Sequence, residues 1–448
     1  MKKSLVALAA LAVSGSAMAQ ATLYGVTDIG YGNKAFTNAN GATTAKQTGV
    51  MDGGLAGSRI GFRGTEDLGG GMKANFVTEQ GISPTNAALF GVRTGNAGIQ
   101  FDGLAASTSQ FDTGTGGAYS QGTNRQTYVG LSGGFGEIRA GYQYTAVYEV
   151  STLAGFTNTS EGVIGGQVAH LWGAGTVGGT RANGITYISP KMGNFQAKIQ
   201  MGSAGGREQT EFLSANAATG TTLDKQSRTG LQLDYAGGPL KAGLAYTQFN
   251  SQVSNRGAGA TSNFLAPAQA AALATSAIVI TTFNVYGALS SIGSSATTGD
   301  TTYSANLLQL AGSYDFGSVK IGATMNSGKQ DITAGPTVAA IAVGSAPSLA
   351  SHSAVGSRTF TSRALSAEIP MGKSRIWVGM NSSTLEGGLA NATTAPIADI
   401  AGRQVGYLYD FSKRTTAYGF IGSTSDSLAL TTAVKDMSQT LVGLRHSF

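Results

Sequence analysis

The chain runs to 448 residues with 67 glycines, 8 prolines, 12% charged residues and no cysteine, so neither disulfide stapling nor thiolate chemistry is open to it. Its formal charge of +6, from 29 Lys and Arg against 23 Asp and Glu, is too mild to argue for nucleic acid as a partner. Frequent Tyr, Phe, Thr, Ser and Asn beside sparse helix formers predict many strands joined by turns and permissive loops.

At the amino end Lys2 and Lys3 precede a short apolar run over residues 5–13, and Ala17-Met18-Ala19 supplies a small-residue cleavage pattern. Residues 1–19 therefore read as an export signal, with a mature domain over 20–448 and a charge of +4 once Lys2 and Lys3 are gone. The apolar run is too short for a membrane helix, which takes about 20 residues. A soluble all-β chain of this length would divide into domains with linkers. One large closed barrel accounts for the absence of such divisions.

Past the signal the dominant period is two. Thr229, Leu231, Leu233 and Tyr235 share one face of a strand, with Arg228, Gly230, Gln232 and Asp234 on the other. After Ala236-Gly237-Gly238-Pro239, a hairpin turn, Leu240, Ala242, Leu244 and Tyr246 alternate with Lys241, Gly243, Ala245 and Thr247. Phe195 to Met201, Val319 to Met325 and Arg375 to Met380 repeat the unit. Alternation also suits a soluble sandwich, so the connections decide. Short turns fall at Asp67-Leu68-Gly69-Gly70, Gly133-Gly134, Pro190-Lys191-Met192, Gly237-Gly238, Phe316-Gly317, Pro370-Met371-Gly372 and Ser412-Lys413. Long Gly-, Ser-, Thr-, Asn- and Ala-rich segments are expected between them at 32–57, 81–124, 250–302 and 326–359. Short turns at one end and long loops at the other predict an all-β, transmembrane antiparallel β-barrel of about sixteen strands. Closure is compulsory, because an open edge in hydrocarbon leaves a row of unpaired backbone groups costing several kcal/mol each.

Several motifs then carry a resemblance: Thr22-Leu23-Tyr24-Gly25, the run from Ser58-Arg59-Ile60-Gly61-Phe62-Arg63-Gly64 to Asp67-Leu68-Gly69-Gly70-Gly71, Tyr128-Val129-Gly130-Leu131, Arg181-Ala182-Asn183, Ser412-Lys413-Arg414-Thr415, and the ending Val442-Gly443-Leu444-Arg445-His446-Ser447-Phe448. Spread over the whole mature length, they resemble the Gram-negative porins of the neisserial and betaproteobacterial type. The resemblance implies a water-filled channel for passive diffusion of ions and small hydrophilic solutes. It also implies a homotrimer in outer-membrane lipid and lipopolysaccharide, with an inward-folded third loop near 145–180. Phe448 looks like the signal read by the barrel assembly machinery. No cofactor or metal is implied. Family members often carry Arg at the position of Tyr142 and sometimes at that of Gln126, and the segments 81–124 and 250–302 are longer here than usual.

If Ile60 and Phe62 face lipid, Arg59 and Arg63 face the lumen. The same rule turns Arg139, Lys198, Arg228, Lys241, Lys320, Arg375 and Arg445 inward, against Glu79, Asp234, Asp315, Glu368 and Asp410. The wall leans basic, and an anion-leaning pore follows. By resemblance Arg59 and Arg181 belong to the basic cluster of a constriction, with Gln126 in a third such position. Glu149 and Glu161, in the third loop, either face the arginines or hold the loop to the wall.

Other chemistries find little support. The Gly-Lys-Ser of Met371-Gly372-Lys373-Ser374 lacks the leading glycine of a phosphate loop. His170, His352 and His446 are the only histidines and share no strand, so no catalytic set is expected. The remaining alternative is an outer-membrane adhesin or structural barrel with little conductance.

Overall fold

The computed structural model describes residues 21–38, 40–52, 54–82, 84, 125–158, 181–204, 222–255, 299–334, 356–386, 396–426 and 434–448. The expected signal over 1–19, Glu161, His170, His352 and the middles of the long segments lie outside the described residues.

The chain opens with β1 (Thr22–Asn38), β2 (Thr43–Asp52), β3 (Arg59–Gly69), β4 (Met72–Gly81), β5 (Gln126–Gly133) and β6 (Gly136–Tyr144). A short helix, α1 (Ala146–Ser151), and a 3-10 turn (Thr152–Asn158) follow. Next come β7 (Arg181–Ile188), β8 (Phe195–Ala204), β9 (Thr222–Gly237), β10 (Leu240–Asn255), β11 (Gly299–Asp315) and β12 (Lys320–Ala334). The last five are β13 (Gly356–Met371), β14 (Ser374–Glu386), β15 (Pro396–Asp410), β16 (Thr415–Asp426) and β17 (Val434–Ser447).

Each strand from β3 onward pairs antiparallel with the next, and β17 returns to β1 along Val26–Asn38, which closes the barrel. The other flank of β1 is shared. Its upper part, Ile29 to Thr37, pairs with β2, while Thr22 to Val26 pairs with β3. Seventeen segments thus fill sixteen positions, because one strand position is interrupted at 54–58.

The segment 32–57, expected to be a loop, is therefore mostly strand; its Gly, Ala and Thr carry β structure because β1 and β2 satisfy each other's backbone. Strands also run into the other expected loops, over Asn250–Asn255, Gly299–Thr302, Asn326–Ala334 and Gly356–Thr359. Polar composition concealed them because strand ends beyond hydrocarbon need no apolar face.

The faces are inverted relative to a soluble protein. Met380 and Val442 are 61% and 65% exposed, whereas Gln309 and Asn326, on inward positions, are 1% exposed. On the inward side of β14 to β17 an apolar cluster of Met51, Leu55, Trp377, Leu408, Tyr418, Phe420 and Leu441 packs with the interruption. This part of the interior is filled by side chains rather than water.

The seam depends on a glycine. Gly25 donates to the Phe448 carbonyl and Phe448 donates to the Gly25 carbonyl, both at 3.1 Å. A methyl group on Gly25 would come within 2.3 Å of the Phe448 ring and 2.8 Å of the Arg59 carbonyl oxygen. The ring can swing aside but the carbonyl cannot, so Gly25→Ala should destabilise the barrel by roughly 1–3 kcal/mol. Urea unfolding of the refolded protein should give a lower midpoint for Gly25→Ala, only partly restored by adding Phe448→Ala. An unchanged midpoint would show that the seam accepts a side chain there.

Candidate functional site

The site begins where β6 ends. Thr145 caps α1, its hydroxyl accepting from the Tyr148 N–H at 3.4 Å, and Ala146, Val147, Val150 and Ala154 are buried against the wall. Two wall positions make that approach possible. A Cβ on Gly243 would meet Leu153 at 2.6 Å and Val150 at 3.1 Å, and one on Gly322 would collide with the Ala154 carbonyl oxygen. The Ser366 hydroxyl donates to the same carbonyl at 3.1 Å. Gly243 and Gly322 alternate with the outward Leu244 and Ile321, so residues 146–158 rest on the lumen face of the wall from β9 to β14.

Charge fastens the helix as well. Lys198 on β8 lies 2.5 Å from Glu149 and 3.7 Å from Asp234. Of the two roles open to Glu149, the contact observed is with the wall. A polar cleft between α1 and β5 to β9 is lined by Gln126, Arg139, Glu149, Lys198, Gln200 and Gln232.

A second group joins β3 to β7. Arg59 Nε lies 3.4 Å from Glu79, Arg125 Nε donates to Glu79 at 2.6 Å, and the Tyr24 hydroxyl donates to the same carboxylate at 3.1 Å. Arg125 also donates to the Tyr144 hydroxyl at 2.9 Å, and Arg181 lies 4.7 Å over the Tyr144 ring while donating to its hydroxyl at 3.4 Å. Tyr144 stacks at 4.4 Å on Tyr148 of α1. Arg59 and Arg181 thus belong to one connected cluster, linked through Glu79, Arg125 and Tyr144. Arg59 and Arg125 pair with Glu79 while Arg181 is joined to them through the Tyr144 hydroxyl, so three linked guanidinium groups and one carboxylate leave a formal local charge of +2.

Of the other expected residues, Arg63 touches this cluster at its edge, through Tyr24, and the rest lie apart from it. Arg63 is exposed and lies 5.1 Å over the Tyr24 ring. Arg139 pairs with Glu137 through two bonds of 2.8 and 3.0 Å and lies 4.9 Å over Tyr128. Gln126 lines the cleft beside α1. Elsewhere Arg375 stands 3.6 Å from Glu368 and 3.1 Å from Asp410, so charges that alternation sends inward meet one another. Arg125 was missed by sequence reasoning. It sits at a loop-strand junction where alternation is unreadable, and the available signal was its adjacency to Gln126, a position at which the resemblance sometimes implies an Arg.

The model of the Gram-negative porin family matches residues 4–346, well over half the chain. The chain belongs to the Gram-negative porins. Among its relatives, outer membrane porin protein 32 of Delftia acidovorans is 34% identical over 260 residues, which covers 56% of this chain and 61% of that protein. Major outer membrane protein P.IB of Neisseria meningitidis serogroup B is 30% identical over 216 residues, 47% of this chain and 53% of the relative. The match thus spans a little over half the length of these relatives. An anion-selective porin from Comamonas acidovorans superposes with a TM-score of 0.56 at 21% identity, covering 96% of this chain and 100% of that one. OmpT of Vibrio cholerae, in its trimer form, gives 0.52 at 13% identity, covering 96% and 99%. The likeness to these structures is one of fold, and this porin is an outer-membrane β-barrel.

The helix contact of this porin can be tested directly. The Lys198–Glu149 pair is partly exposed and is worth ~1 kcal/mol or less, whereas the apolar contacts of Val147 and Val150 stay in place. Lys198→Gln should therefore leave assembly unchanged and raise open-channel current noise as α1 loosens. Noise identical to the parent would show that packing alone holds the helix.

Proposed function

We propose that this porin is a passive, water-filled channel for ions and small hydrophilic solutes, leaning toward anions and working as a homotrimer. One observation carries the reading: Arg59 and Arg125 pair with the carboxylate of Glu79 and Arg181 joins them through the Tyr144 hydroxyl, so that three linked cations stand against one carboxylate beside the intraluminal helix. A local excess of positive charge next to low-dielectric wall raises the concentration of small anions there. Wall charges more than about 10 Å away are screened at roughly 0.1 M salt and contribute less. In this reading Arg59, Arg125 and Arg181 form the basic side of the constriction, and Glu149 serves to hold α1. Arg63, Gln126 and Arg139 line the approach. Phe448, paired at the seam and exposed outward, acts as the assembly signal.

The test is planar-bilayer recording under a steep KCl gradient. The parent should insert with conductance steps in groups of three and an anion-directed reversal potential. Arg59→Gln with Arg181→Gln cancels the local excess, so the anion-to-cation permeability ratio should fall toward about unity, with Lys320→Gln doing less. A double variant that assembles normally and keeps the parent's reversal potential would move the constriction elsewhere. A parent that never conducts would favour the adhesin.

A further inference from the structure

Asp28 has no role in the channel reading, yet its side chain is wholly buried, on the inward face of β1 beside the interruption of the neighbouring strand. Four donors converge on its carboxylate. Oδ1 accepts from the Gly54 N–H at 3.1 Å and from the Tyr418 hydroxyl at 2.6 Å; Oδ2 accepts from the N–H groups of Leu55 at 2.8 Å and Ala56 at 2.7 Å. The Asp28 N–H donates to the Ser58 hydroxyl at 2.9 Å, and that hydroxyl returns a bond to the Asp28 carbonyl at 3.2 Å. Residues 54–56 are thereby tied to the Asp28 side chain and Ser58 to its backbone.

The need for this arrangement follows from the environment. Where a strand position is interrupted, its N–H groups lose their ladder partners, and inside a membrane barrel each unpaired group is costly. Asp28 supplies acceptors for three successive donors, a charge-assisted arrangement that a neutral side chain could not reproduce. The turn ends directly at Arg59, whose guanidinium donates to the Gly57 carbonyl at 3.1 Å before reaching Glu79. Asp28, the turn, the Gly57 carbonyl and Arg59 form one continuous chain of contacts.

We propose that Asp28, with Tyr418, is a positioning residue that sets the place of the Arg59 guanidinium in the constriction by fixing residues 54–58. The proposal rests on the channel reading for the part that Arg59 plays. Two simpler roles for Asp28 differ from it in sign. A carboxylate acting only as a wall charge opposes anions, so Asp28→Asn would raise the anion preference. One needed only for folding would lower the yield and leave assembled channels unaltered. Positioning predicts the reverse of the first: the Asn amide turns a donor toward backbone N–H groups, the turn moves, and the anion preference falls although a negative charge has been removed.

The experiment uses two readouts on assembled, full-length protein. The chain has no cysteine, so Arg59→Cys gives a single thiol whose labelling by a charged water-soluble thiol reagent reports the position of residue 59. Reversal potentials of Asp28→Asn and Tyr418→Phe, each with Arg59 intact, report selectivity. Tyr418→Phe changes no charge and removes two hydrogen bonds, the one donated to the Asp28 carboxylate and the one accepted from the Gly54 N–H at 3.1 Å, a change of about tenfold or more in the turn's equilibrium. It keeps the test open if Asp28→Asn fails to assemble. Both changes should speed labelling and lower the anion preference. Unchanged labelling in Tyr418→Phe overturns the proposal, as does a rise in anion preference in Asp28→Asn. Faster labelling with an unchanged reversal potential supports the link from Asp28 to Arg59 and instead overturns the place of Arg59 in the constriction.

Discussion

Every backbone N–H and C=O that enters hydrocarbon must find a partner within the protein, and the architecture follows from that demand. It forces β17 back onto β1, so that the last residue pairs with Gly25 and the barrel closes. It also governs a place where the ladder is interrupted. At 54–58 the strand position shared by β2 and β3 breaks, and the donors left over are taken up by the Asp28 carboxylate. A single rule produces both the regular wall and the device that repairs its interruption.

Closure gives each strand two environments, and the side chains divide between them. Apolar residues such as Ile199, Met325 and Val405 lie exposed on the outer face, where lipid replaces water as their solvent. Charges turn inward and meet opposite charges: Lys198 with Glu149 and Asp234, Arg375 with Glu368 and Asp410, and the arginines near Glu79. What distinguishes the last group is imbalance, since three linked cations stand against one carboxylate that only two of them contact. That imbalance, rather than the count of basic residues on the wall, is the basis of the proposed selectivity.

The interior is uneven in another way. Residues 146–158 cover the wall from β9 to β14, and the apolar cluster around Trp377 and Phe420 fills space beside β14 to β17. Both depend on small residues or turns that let main chain approach closely, Gly243 and Gly322 for the helix segment and the inward 54–58 turn for the cluster. The arginine cluster on β3 to β7 joins the helix through Tyr144 and Tyr148.

Alternation such as that over Thr229 to Tyr246, together with short turns at one end and long segments at the other, was enough to determine a membrane barrel, its approximate strand number and which charges face inward, because a period of two maps onto two faces and the connections show that one of them meets lipid. Motif positions also marked Arg59 and Arg181. The sequence could not show that 32–57 is largely strand, because polar strand ends outside hydrocarbon look like loops. It could not show that Arg125 supplies the third cation, because a residue at a loop end has no readable parity. Nor could it single out Asp28 from other wall acids. Its three backbone donors come from residues 54–56, and its phenol donor comes from Tyr418, 390 residues along the chain. Periodicity is a local property and survives in the sequence, whereas a hydrogen bond between β1 and β16 exists only once the barrel has closed.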